Sequence, residues 1–144
     1  MPSEGFKSIS LWSEHAKAIE EYTKTLPYPP TIPQLVKRAV SLKAVPIKKL
    51  LGSQAIKTAI LTINEADEGR LVLKSVTVPD KVAEALAEVV KSAKDDIKDY
   101  LGMSKEPSPT FCAGVWILLF IETESPGFLT RYLRYKKKEL FAVG

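Results

Sequence analysis

The sequence predicts a mainly α-helical protein, with a basic N-terminal arm of kinked helices at residues 1–52 and a helical bundle at residues 53–144. Three observations lead to this prediction. Apolar residues recur every three or four positions along much of the chain, prolines interrupt its first third, and acidic residues are missing from one long basic stretch. With 144 residues, 45% of them hydrophobic, the chain is large enough to bury a core.

The first predicted helix covers about residues 9–25, where Trp12, Ile19 and Tyr22 follow the helical period. Four prolines within residues 27–33 then predict an extended, rigid segment, because proline fixes φ and lacks a backbone donor. Together with Pro46, these prolines are expected to hold the basic arm away from the bundle.

Two further helices and a short helical turn belong to the basic region. Thr31 is a candidate N-cap for a helix that ends before Pro46, and Pro33 is tolerated in its first turn. One or two helical turns are predicted at residues 47–51, and another helix is expected after Ser53.

Residues 70–78 contain enough β-branched side chains to form a short strand. A regular apolar stripe predicts a helix over 80–101. The apolar run 111–121, expected to be capped by Thr110, fits a buried helix or a central strand equally well. Ser125 and Pro126 form an N-cap and N1 pair for a last helix. No internal repeat is expected from inspection of the chain.

The charge distribution points to a polyanionic partner. No Asp or Glu occurs between Glu21 and Glu65, and a second basic cluster lies near the C-terminus. We predict that these cations contact nucleic-acid phosphates. They are Lys24, Lys37, Arg38, Lys43, Lys48, Lys49 and Lys57 in the acid-free stretch and Arg131, Arg134, Lys136, Lys137 and Lys138 in the C-terminal cluster.

Several classes of protein are disfavoured by composition. The single histidine, His15, is expected in the interior, and the single cysteine, Cys112, is expected to be a small core residue. We therefore expect no catalytic residues, metal site or cofactor, and no enzyme. The longest apolar run has eleven residues, too few for a membrane span, and the N-terminus lacks a secretory signal, so a cytoplasmic protein is expected.

The order of elements, Ser10–Lys24, Pro27–Pro33, Gln34–Lys57 and the helices from Asp80 onward, resembles the capsid proteins of archaeal filamentous viruses. In that family a helical N-terminal arm wraps the genome, a C-terminal helical bundle forms the outer shell, and paired subunits enclose double-stranded DNA in the A form. The resemblance implies non-specific DNA packaging, self-association into dimers and a larger assembly, and a place in a virion assembled in the host cytoplasm.

A second hypothesis is a small transcription regulator. Residues 73–86, a strand followed by a helix, resemble the opening of ribbon-helix-helix repressors. Lys74, Ser75 and Thr77 are the strand residues able to contact base edges. A third hypothesis is an adaptor whose cationic arm docks on an acidic protein or an anionic membrane surface. The sequence does not distinguish DNA from RNA, or a viral from a cellular protein.

Overall fold

The computed structural model describes residues 5–42, 45–65 and 73–134. The helices are α1 (Ser13–Lys24), α2 (Ile32–Leu42), α3 (Ile47–Leu51), α4 (Gln54–Glu65), α5 (Asp80–Tyr100), α6 (Pro109–Glu124) and α7 (Phe128–Arg134). The strands are β1 (Phe6–Trp12) and β2 (Leu73–Pro79), which form an antiparallel ribbon. The predicted mainly α-helical class, with a short β element near residue 75, is confirmed.

Strand β1 corrects the predicted start of the first helix. Residues 9–12 belong to the strand, and α1 begins at Ser13 because Trp12 is extended, with φ −62° and ψ 139°. Within β1, Ile9 and Leu11 point to the core and alternate with outward serines. The alternation of apolar and polar residues in β1 runs directly into the helical period of α1, so residues 9–12 were assigned to the helix.

The basic helices do not stand apart from the rest of the protein. Leu35, Val36 and Ala39 of α2 are buried in the same core as α5 and α6, and α3 also packs on α5. The expectation that prolines hold this region away from the bundle is wrong, because amphipathic helices gain more by burying their apolar faces. The predicted N-cap is confirmed: the backbone N–H of Gln34 donates to the Thr31 hydroxyl, and the Thr31 N–H donates to the Gln34 side chain.

Helix α6 lies at the centre of the fold and settles the ambiguity of the apolar run. Every residue from Phe111 to Glu122 is buried, so no polar face remains to reveal a helical period in the sequence. Its N-cap is Ser108 rather than Thr110: the Ser108 hydroxyl accepts from the Phe111 N–H at 3.1 Å.

The last helix starts later than predicted. Instead of a Ser125 cap, the buried carboxylate of Glu122 accepts hydrogen bonds from the backbone N–H groups of Gly127 and Leu129. A carboxylate at this position satisfies free donors and complements the positive end of α7. Glu122 thus joins the end of α6 to the start of α7.

The fold contains two β-α-α units, contrary to the expectation of no internal repeat. β1 leads into α1 and α2, and β2 leads into α5 and α6. The packing is reciprocal, since β1 contacts α6 while β2 contacts α2, and α1 contacts α6 while α2 contacts α5. The strands read FKSISLW and LKSVTVP. In the following helices, Ala16, Ala18 and Ile19 correspond to Ala83, Ala85 and Leu86. The strand register has the same symmetry, because Ile9 and Val76, which occupy the same position in the two strands, lie opposite each other.

Candidate nucleic-acid interface

The predicted phosphate contacts that the structure describes lie on several helices. Lys37 lies on α2, Lys48 and Lys49 lie on α3, and all three side chains are exposed and form no ion pair with the described residues. Lys57 on α4 is half-buried. Lys43, Lys136, Lys137 and Lys138 lie outside the described residues. The described cations of the acid-free stretch therefore come from four different helices and differ in exposure.

Some predicted cations have acidic partners that are distant in sequence or on the same helix. Arg38 forms an ion pair with Glu124 at 2.8 Å, and Lys24 contacts Glu21 at 3.4 Å. Burial and the Glu124 carboxylate raise the pKa of Tyr22, which lies beside the Arg38 pair. We call the surface formed by Glu21, Lys24, Arg38 and Glu124 the mixed surface, because each of its cations is paired with an acid.

Arg131 lies close to the same mixed surface. Its guanidinium donates to the Ser125 hydroxyl at 3.3 Å and to the Pro126 carbonyl at 3.4 Å. A shallow cavity of about 410 Å³ is lined by Arg131 and by Glu21 of α1. Arg134, the last described residue, is exposed. Arg131 is thus committed to local contacts that hold the start of α7.

The ribbon presents a continuous hydroxyl surface. Residues directly opposite in an antiparallel pair project to the same face, and Ser8 lies opposite Thr77 while Ser10 lies opposite Ser75. Ser8, Ser75 and Thr77 are exposed and Ser10 is half-buried. On the other face, Val76 is buried in the core. We call this surface, formed by Ser8, Ser10, Ser75 and Thr77, the outer face of the ribbon.

Half of this outer face was missed from the sequence. Lys74, Ser75 and Thr77 were predicted as base-reading candidates, but Lys74 lies opposite Leu11 and projects to the core-facing side. Ser10 was placed in the predicted helix over residues 9–25, and Ser8 was assigned to no element. The available signal was the alternation of serine with isoleucine and leucine in β1, and its match to β2. The repeat is hard to see because the two strands are far apart in the chain.

Cations lie around the ribbon as well. Lys7 is exposed at the start of β1, and Lys37 and Lys81 line one cavity of about 360 Å³ beside Pro79, at the end of β2. Lys74 of β2 is paired with Glu20 of α1. The ribbon therefore has basic side chains at its margins, where DNA phosphates lie when a protein element enters a groove.

A groove of about 400 Å³ runs from the ribbon to the N-terminal end of α6. Ser10 of β1 and Pro109 and Thr110 of α6 line it, together with Lys91 and Lys94 of α5. Lys94 is paired with Glu106 at 2.5 Å, and this contact raises its pKa. The first turn of α6 thus lies next to β1, with its partial positive charge near the ribbon.

The single histidine and the single cysteine, the two side chains best suited to catalysis or metal binding, both lie in the interior. His15 is fully buried, and its Nε2 donates to the Asn64 side chain at 2.7 Å, which agrees with its predicted interior position. Cys112 is also buried, and burial raises its pKa to about 11. Among the described residues, no group of three or more His, Cys, Asp or Glu is arranged to hold a metal ion.

Within the described part of the chain, no single helix is long and apolar enough to cross a bilayer. Helices α6 and α7 reach that length and composition only as a pair, across a bend of 107°.

Comparison with known proteins finds no matching family model, no similar curated protein and no similar solved structure.

Proposed function

We propose that this protein binds duplex DNA by inserting the β1–β2 ribbon into the major groove. The observation that carries the proposal is the pairing of two β-α-α units through their strands, with hydroxyl side chains on the outer face. This arrangement resembles ribbon-helix-helix repressors, the second hypothesis from the sequence. Here both units come from one chain.

The dimensions and chemistry of the ribbon suit this role. The major groove of B-DNA, about 12 Å wide, admits a two-stranded β-ribbon. Serine and threonine hydroxyls both donate and accept hydrogen bonds, so Ser8, Ser10, Ser75 and Thr77 have the chemistry to contact base edges. Behind them the strands rest on the core, and an element supported in this way needs little ordering when it binds.

Phosphate contacts would come from the margins of the ribbon. Lys7 and Lys81 are exposed there, and Lys37 lies beside Lys81. The N-terminal turn of α6, next to Ser10, adds a partial positive charge. These groups supply sequence-independent affinity, while the outer face supplies base contacts.

Non-specific DNA packaging is a separate proposal, as are self-association and a place in a virion. It depends on a basic segment that follows the duplex backbone. The burial of the α2 apolar face, the Arg38–Glu124 pair and the Lys24–Glu21 pair all weaken the argument for such a segment. The exposed Lys48 and Lys49 keep it testable.

One experiment separates these two proposals. Duplexes are selected from a random-sequence library, and fluorescence anisotropy compares the selected duplex with an unselected one over a range of salt concentrations. We expect the outer-face variant Ser8→Ala/Ser75→Ala/Thr77→Val to lose preference for the selected duplex while keeping its non-specific affinity. The variant Lys48→Ala/Lys49→Ala should leave that preference unchanged.

The opposite pattern would contradict the ribbon proposal. If the outer-face variant binds like the unmodified protein, and loss of Lys48 and Lys49 weakens all binding and lowers the salt slope by about 2, packaging is the better account. Thermal unfolding of each variant checks that the fold is retained, and Ser92→Ala, an exposed serine substitution on α5, serves as the matched control.

A further inference from the structure

The two ends of the ribbon differ in the ion pairing of their lysines, although the strands are related by an approximate two-fold axis. The axis passes near the Ile9–Val76 pair, since these residues are opposite each other and occupy the same position in the two strands. At one end Phe6 lies opposite Pro79, and at the other end Trp12 lies opposite Leu73. We call these the Phe6 end and the Trp12 end.

Equivalent positions in α1 and α5 carry opposite charges. Lys81, the second residue of α5, is exposed near the Phe6 end, whereas its counterpart in α1 is the buried Glu14, near the Trp12 end. Glu14 is ion-paired with Lys17, whose counterpart in α5 is the exposed Glu84, so the order of the two charges is reversed between the helices.

A second set of equivalent positions differs in ion pairing. Lys74 of β2 is paired with Glu20 of α1. The counterpart of Lys74 is Lys7, and the counterpart of Glu20 is Ala87 in α5. Lys7 consequently has no acid in that position, and it forms no ion pair with any described residue.

The apolar residues on the outer face also differ. Phe6 is 66% exposed and Leu73 is 47% exposed, and these equivalent residues lie at opposite ends of the ribbon. The ring of Trp12 stacks on His15 at 5.5 Å, while Pro79 occupies the matching position in β2. An apolar side chain on DNA distinguishes bases by contact with the thymine methyl group, so the two ends present different surfaces to the groove.

From these differences we infer that one chain recognises a duplex site without two-fold symmetry, with its stronger phosphate contacts at the Phe6 end. The inference rests on the proposed function. A ribbon made from two identical chains presents the same side chains at both ends and suits a palindromic site. In this chain, Lys7 and Lys81 at the Phe6 end form no ion pair with a described residue, although Asp80 lies beside Gly5 there, whereas Lys74 at the Trp12 end is paired with Glu20.

A pair of single substitutions tests the charge asymmetry, measured as the salt dependence of binding to a random-sequence duplex. Lys7→Ala should lower the slope of log affinity against log salt by about 1, since one phosphate contact is lost. Glu20→Ala, which gives α1 the alanine found in α5, should free Lys74 and raise the slope by about 1. Glu88→Ala, an equal charge change on the exposed side of α5, should leave the slope unchanged. Equal effects of Glu20→Ala and Glu88→Ala would overturn the inferred charge asymmetry.

Selection from a random 20-base-pair duplex library tests the symmetry of the site, and sedimentation velocity of the selected complex gives its stoichiometry. We expect a non-palindromic motif bound by one chain. Ser8→Ala and Ser75→Ala should each weaken discrimination at different base pairs, by about fivefold or more. A palindromic motif bound by two chains would overturn this inference and leave the proposed function intact. A library that shows no enrichment would overturn the proposed function itself.

Discussion

Replacing Gly114 by alanine should destabilise the protein, although alanine is the better helix former. Gly114 lies in the middle of α6, and a Cβ atom added there would be 1.9 Å from Nδ1 of His15. The His15 ring cannot easily move, because Trp12 stacks on it at 5.5 Å, Phe111 lies 5.8 Å away and Asn64 bonds its Nε2. The fold therefore requires glycine at this position.

The expected magnitude follows from two opposing effects. Overpacking a well-packed core costs about 1–3 kcal/mol, and an overlap this large places Gly114→Ala near the upper limit. The gain in helix propensity offsets about 1 kcal/mol of that cost. A net loss of about 2 kcal/mol should lower Tm by about 5 °C in a chain of this size.

Urea denaturation and thermal unfolding measure this effect directly. The double variant His15→Ala/Gly114→Ala provides the control, because removing the ring removes the clash. Its loss of stability should be smaller than the sum of the two single losses. If Gly114→Ala is as stable as the unmodified protein, or if the losses simply add, the close contact between α6 and His15 is not present.

Three other experiments test the core and the start of α7 by denaturant unfolding or thiol labelling. Glu122→Gln should lose about 1–3 kcal/mol, because the buried carboxylate accepts two backbone N–H groups at the start of α7, and an unchanged midpoint would exclude that cap. Leu86→Ala should lose about 2–5 kcal/mol, whereas Lys91→Ala on the exposed side of α5 should lose at most ~0.5, and equal Tm values would contradict this assignment of faces. Cys112 should react with a thiol reagent at pH 8 about 100-fold more slowly in the folded than in the urea-unfolded protein, since burial raises its pKa from 9.0 to about 11. For the same reason the free energy of unfolding should be unaffected by this thiol below pH 9 and should fall between pH 9 and 11, where only the unfolded protein loses the proton. Equal labelling rates would show that the thiol is exposed.

The sequence predicted helices best where one face is exposed. The apolar stripe of α5 gave its start at Asp80 and the buried positions Leu86 and Ile97. In α6, which is buried on all sides, the same reasoning had no polar face to use and left helix and strand open. β1 was missed because its seven residues run directly into the helical period of α1.

The candidate interface was less predictable because ion pairs form between residues far apart in sequence. The acid-free stretch appeared uncompensated, but Glu124 reaches Arg38 across the fold. No count along the chain could indicate that contact. Conversely, the match between FKSISLW and LKSVTVP was present in the sequence, and only the antiparallel pairing shows that the two segments form one surface.

Joining the two units in one polypeptide changes how the ribbon depends on concentration. A ribbon shared by two chains is lost on dilution, because its folding is coupled to association. Here β1 and β2 belong to the same chain, and the residues between them set the effective concentration of one strand near the other. The unfolding midpoint should therefore not change with protein concentration. A substitution in such a chain also occurs once in the ribbon, whereas in a homodimer it occurs twice. The two units can therefore carry different residues at equivalent positions. The buried Glu14 of α1 and the exposed Lys81 of α5 are one such pair.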